Sequence, residues 1–179
     1  MLKARITLLM VLLVVFFGCK QVSAELQRKA LLNDANDLLK QQTKVTGQWS
    51  DEFVKVFTLE NRTQFPGNRD FLRPHAEKIL QLLDESTSLN NKVAEKYEQA
   101  AGLSTDDQQR RGLWWVASSF RKSAEVDELF KSAIRMVSDE TIVDGKTFNE
   151  KFLHSGQLIA QKKRESEGDF AQGRRLLKW

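Results

Sequence analysis

The sequence predicts an all-α protein: an elongated up-down four-helix bundle with long antiparallel helices, preceded by a signal peptide. Three observations carry that prediction. The chain opens on a short charged stretch followed by an apolar run. Four later segments repeat their apolar residues at steps of three and four, the period of a helix face. No segment shows the strict alternation of a half-buried strand.

The start of the chain fits export. Met1 to Arg5 carries Lys3 and Arg5, and Ile6 to Gly18 is a 13-residue run, ITLLMVLLVVFFG. A spanning helix needs roughly 20 apolar residues, so this run has the length of a signal-peptide core instead. It also lacks the polar face that a buried core helix of a soluble domain carries. Residues 1–24 are therefore expected to be a targeting segment, 25–170 the helical bundle, and 171–179 a basic and aromatic tail.

Two processing sites compete. Phe16-Phe17-Gly18-Cys19 places a small residue before the single cysteine of the chain, at the end of the apolar run. It resembles the lipobox of bacterial lipoproteins, with Phe16 and Phe17 departing from its usual residues. That resemblance covers about the first 19 residues and carries no biochemical activity. It implies a lipidated Cys19 as the new N-terminus and a permanent membrane attachment. Each buried CH₂ of a lipid chain contributes roughly 0.8 kcal/mol, and more than one chain is needed for stable anchoring. The second site is Val22-Ser23-Ala24, a small-residue pattern for cleavage before Glu25, with Lys20 close by. An uncleaved N-terminal anchor is the third outcome. All three put the domain outside the cytoplasm, in or beyond a bacterial cell envelope.

The first helical segment runs from about Glu25 to Thr58, with Leu26, Ala30, Leu31, Ala35, Leu38, Leu39, Val45, Trp49, Phe53 and Phe57 on one face. Gly47 predicts a kink or break. Leu59 to Asp70 reads as a loop around Pro66-Gly67, and Pro74 suits the first turn of the next helix. That helix covers about Phe71 to Ala101, with Gly102 as its cap. Ser104 and Thr105 offer N-caps to the third, about Thr105 to Val137, whose stripe Leu113, Val116, Phe120, Ser123, Val126, Phe130, Ala133, Val137 is a packing seam. Ser138 to Lys146 is a polar connector. Thr147 and Glu150 form a capping box that starts the fourth helix, which fades after Gly168.

Composition and motifs narrow the function classes. Removing Lys3 and Arg5 from the 28 basic residues leaves 26 against 24 acidic ones. That near balance speaks against nucleic acid as a partner. The 160 residues after Cys19 contain no cysteine, so the domain has no disulfide, thiol nucleophile or cysteine-based zinc site. His75 and His154 lack the Glu-x-x-His spacing of a di-iron bundle. There is no Gly-x-Ser-x-Gly elbow and no glycine-rich phosphate loop. No cofactor, metal or catalytic residue is expected, and the chain is not read as an enzyme.

Two surfaces remain. Adjacent Trp114 and Trp115 point about 100° apart on a helix, so both cannot centre on the Leu113–Val116 seam. They either pack at helix edges or form a partner surface. The tail after Gln161 carries Lys162, Lys163, Arg164, Arg174, Arg175 and Lys178 with apolar Phe170, Leu176, Leu177 and Trp179. It suits an anionic surface or, equally, a solvated terminus. The functional expectation is a lipid-anchored helical bundle that binds an unidentified protein of the envelope. The alternatives are a secreted or periplasmic small-molecule-binding bundle, with its site in the core, and a structural spacer.

Overall fold

A computed structural model describes the backbone of residues 2–179 and the side chains of residues 22–179. Cys19, where lipidation is expected, and the apolar run lie outside the described side chains. Helix α1 spans Leu2–Val56, α2 Leu59–Thr63, α3 Arg69–Gly102, α4 Asp107–Arg135 and α5 Gly145–Leu177, with a 3₁₀ turn at Met136–Ser138. Among the described residues there is no strand.

Each long helix packs on the next one in sequence: α1 on α3, α3 on α4, α4 on α5. Side-chain pairs give the directions. Lys96 reaches Asp34 and Lys78 reaches Glu52, so α1 and α3 run antiparallel. Arg121 pairs with Glu98 and Lys131 with Asp84 across α3–α4. Lys122 pairs with Asp169 and Lys162 with Glu125 across α4–α5. Among the described residues the α1 and α5 backbones approach less closely, and Phe53 of α1 and Phe57 just after it meet Phe152 of α5 in stacked pairs at 5.9 and 5.7 Å.

Local chemistry departs from expectation at several ends. Gly47 sits inside uninterrupted α1, because neighbouring Val45 and Trp49 are both anchored in the interior and hold the helix through it. The expected loop after Val56 contains α2, capped by Thr58 Oγ1, which accepts from the Asn61 N–H at 3.1 Å. Helix α3 begins at Arg69, which puts Pro74 beyond the first turn. Gly102 ends α3 without a left-handed φ, and Leu103 is the C-cap. Asp106 caps α4 in place of Ser104 or Thr105. Asp144 caps α5 by accepting from the Thr147 N–H at 2.8 Å, so Thr147 is the third residue of the helix and forms no capping box. A carboxylate at an N-cap also gains from the positive end of the helix dipole, which a hydroxyl does not.

The segment 171–179 is not a separate tail. Helix α5 continues past Gly168 to Leu177, and Leu177 packs against the core. Gly173 allows this, because a Cβ there would meet Val116 Cγ2 at 2.6 Å and the Gly112 carbonyl at 2.9 Å. Trp179 reaches Tyr97, with ring centroids 6.2 Å apart.

The apolar core is divided in two. One cluster, around Phe65, Leu72, Ile79, Leu83, Ile134, Val137 and Phe148, fills the end of the molecule where the connectors lie. There Arg69 donates to the Asp139 and Ile142 carbonyls at 3.0 and 2.7 Å, and Phe65 stacks on Phe148 at 4.2 Å. The buried Ile142 makes the expected polar connector part of this core. The second cluster, around Ala35, Val93, Tyr97, Leu113 and Val116, fills the other end. Between them lies a layer of buried polar side chains.

Candidate functional site

The polar layer is built from three helices. Helix α3 supplies Ser86 and Asn90, α4 supplies Ser119, Asp127 and Lys131, and α5 supplies Ser166, all buried. Helical spacing dictates the choice: Ser86 and Asn90 lie four apart and fall on the face that carries Leu83 and Val93. Asp127 and Lys131 are likewise four apart, in register with Ala124 and Ile134.

Asp127 is the centre of the layer. Ser86 Oγ donates to its Oδ2 at 2.8 Å and Asn90 Nδ2 donates to the same oxygen at 2.9 Å. Oδ1 receives neither bond. Burial pushes the carboxyl up to about 6, against the opposing pull of those two donors and of Lys131. Asp127 therefore titrates just below neutral pH, far from its ordinary range. Lys131 is also buried, but its ammonium is met by Asp84 at 2.7 Å and Glu128 at 2.5 Å. Burial works against that charge, yet the two carboxylates outweigh it and hold the amine above its ordinary range.

Two serines complete the layer. Ser166 Oγ donates to the Ser119 carbonyl at 2.8 Å, and Ser123 Oγ donates to the same carbonyl at 3.0 Å. The two hydroxyls are also 3.0 Å apart, so either can donate to the other in place of the carbonyl. Asn90 Oδ1 and Trp49 Nε1 are buried without a hydrogen-bond partner. Leaving a buried polar atom unpaired costs about 1–3 kcal/mol, so two at one place need a reason.

These groups line a cavity of about 460 Å³ that opens between α1 and α5. Asp127, Asn90, Ser123 and Ser166 form its polar side on α3, α4 and α5, and Gln42, Thr46 and Ser50 add polar groups from α1. Trp49, Phe53, Val126, Phe130 and Ile159 form its apolar wall, and exposed Lys163 stands at the rim. The wall is preorganised by ring contacts: Trp49 and Phe130 have centroids 4.8 Å apart, and Phe53 meets Phe130 edge-on at 5.8 Å. Val126 and Phe130 belong to the stripe that predicted a closed helix seam. They are only part-buried, because they face the cavity. The volume and the mixed lining are those of small-molecule sites.

The sequence-predicted sites lie elsewhere. Trp114 and Trp115 are exposed on α4 at 50% and 37%, and Trp114 points away from the face that carries Asp127 and Phe130. Cys19 falls outside the described side chains. His75 contacts Glu52 at 2.5 Å between α3 and α1, while His154 is exposed on α5. Among the described residues no cluster of His, Cys, Asp and Glu could hold a metal ion, and no helix is long and apolar enough to cross a membrane. In the basic C-terminal region, Lys162 is engaged with Glu125 and Glu165. Asp127, Asn90 and Trp49 were not singled out by sequence as site residues, although Asp127 falls between Val126 and Phe130 of the stripe. No protein-family model, characterised protein or solved structure matches the chain.

Proposed function

We propose that this chain is an exported helical binding protein that takes a small amphipathic molecule into the cavity between α1 and α5, without chemical conversion. The observation that carries the reading is Asp127: a buried carboxylate beside two unpaired buried polar atoms, in a layer that opens on an aromatic-walled cavity. A bundle selected only for stability would fill this level with apolar side chains, because a part-satisfied polar layer costs more than an apolar one. The cavity favours the small-molecule reading over the structural spacer.

The four long helices are read as an up-down bundle left open along the α1–α5 edge, so that a ligand enters from the side. Residues 1–24 supply the export signal, and lipidation at Cys19 would hold the binding site near a membrane. Envelope-protein binding remains as a second reading, supported by the exposure of Trp114 and Trp115.

The test is amide chemical-shift mapping of the isotope-labelled chain titrated with octan-1-ol, octylammonium and octanoate. The proposal expects at least one probe to shift residues around Ser123, Val126 and Ser166 saturably. If none of the three does so, the binding reading is wrong.

A further inference from the structure

The charge and hydrogen-bonding state of the polar layer specify the head group of the ligand. We propose that the cavity selects a protonated primary amine carried on an apolar body, with the ammonium held at Asp127 and the body against the aromatic wall. This rests on the binding reading above and narrows it to a ligand class.

Donors and acceptors around Asp127 are unequally spent. The two donors beside Asp127, Ser86 Oγ and Asn90 Nδ2, are both spent on Oδ2. The Ser123 and Ser166 protons are spent within the layer, on the Ser119 carbonyl or on each other's hydroxyl. Around Asp127 the layer still offers lone pairs, on Asp127 Oδ1, the unpaired Asn90 Oδ1 and the serine oxygens, while the unpaired donor of the lining, Trp49 Nε1, belongs to the aromatic wall that takes the apolar body. A head group rich in donors and poor in acceptors is its complement. A primary ammonium has three N–H donors and no acceptor. A carboxylate head would set its lone pairs against those of the layer, and its charge against that of Asp127. A hydroxyl head has one proton and no charge. A quaternary ammonium has the charge and suits aromatic faces, but it has no N–H for Asn90 or Asp127.

The surrounding charges leave this role to Asp127. No charged residue of α1 or α3 lines the cavity. On α4, Lys131 is neutralised by Asp84 and Glu128. On α5, Lys163 is exposed at the rim, where its repulsion of an incoming cation is weakened by solvent and salt. Hydrogen bonds between charged partners are roughly twice as strong as neutral ones, and stronger still away from water.

Calorimetric titration of the purified chain at about pH 7 with octylammonium, octyltrimethylammonium, octan-1-ol and octanoate tests the assignment. Octylammonium is expected to bind at least about tenfold tighter than each of the other three, the difference that one charge-assisted hydrogen bond supplies. Asp127→Asn is expected to erase that margin and leave octylammonium level with octan-1-ol, while circular dichroism shows the helices intact. Because burial places the Asp127 carboxyl at about 6, octylammonium affinity should fall about tenfold between about pH 7 and about pH 5, and octan-1-ol affinity should not. If octan-1-ol, octanoate or octyltrimethylammonium equals octylammonium, or if Asp127→Asn leaves the margin in place, the amine assignment is overturned and the cavity reading stands. If no probe binds, both fall.

Discussion

Asn90 on α3 donates its side-chain N–H to Asp127 on α4 at 2.9 Å, and its own Oδ1 stays buried without a partner. One half of the amide thus stabilises the carboxylate, while the other half is left for something the protein does not itself supply. The pair spans the two helices whose contact forms the middle of the structure.

The position of Asp127 carries a stability consequence with a definite sign. Its folded-state carboxyl titrates at about 6, above the ordinary value of 3.8, so folding favours the protonated form. That contribution is fully present below about pH 4 and is lost as pH rises through about 6. Asparagine stays neutral throughout. Asp127→Asn should therefore raise the unfolding free energy at about pH 7.5 by up to about 3 kcal/mol and change it little at about pH 4. Urea denaturation of both proteins at the two pH values checks this. A loss of stability at neutral pH would mean that the charge contributes to folding.

The glycines of α5 separate by what surrounds them. Gly168 has open space where a Cβ would go, inside a helix where alanine is favoured. Gly168→Ala should stabilise by roughly 0.5–1 kcal/mol. Gly173→Ala would drive its methyl into Val116 and the Gly112 backbone, and should destabilise by roughly 1–3 kcal/mol. Thermal unfolding of the two variants should move in opposite directions, and equal shifts would contradict the close approach of α5 to α4.

Trp114 and Trp115 are exposed and lie off the cavity lining. Replacing each with Gln should change stability by less than about 0.5 kcal/mol and leave ligand titrations unaltered. Loss of cross-linked envelope partners in the same variants would support the partner surface.

Mass spectrometry of the N-terminus after expression in a bacterial host reads the fate of the targeting segment. Acylated Cys19 is the expected product, and Cys19→Ser should then release the domain from the membrane fraction. A free Glu25 terminus would give a soluble periplasmic protein instead, and an intact Met1 an uncleaved anchor.

The long helices were legible in the sequence because apolar steps of three and four extend over many turns. The stripe from Leu113 to Val137 on α4 is a clear case. Caps were harder, since Ser104, Thr105 and Asp106 are all competent and only tertiary placement of the helix selects Asp106. The same holds for Asp144 over Thr147. The end of α5 was obscured because Gly173 reads as a breaker, whereas its value lies in letting Val116 approach. The candidate site was the least legible part. Its trace is one acidic residue, Asp127, between Val126 and Phe130 of an apolar stripe. Its partners Ser86 and Asn90 lie 41 and 37 positions away, so no local spacing joins them. Many acidic residues of this chain sit on solvated helix faces, and only packing separates a buried one from those.

The most direct test uses Trp49, which lines the cavity. Changing Trp114, Trp115 and Trp179 to Phe leaves Trp49 as the sole tryptophan of the chain. Octylammonium should alter its emission saturably, at the concentrations where calorimetry detects binding, and Asp127→Asn should weaken the response. An emission that stays constant through that titration would place the ligand elsewhere and contradict the account.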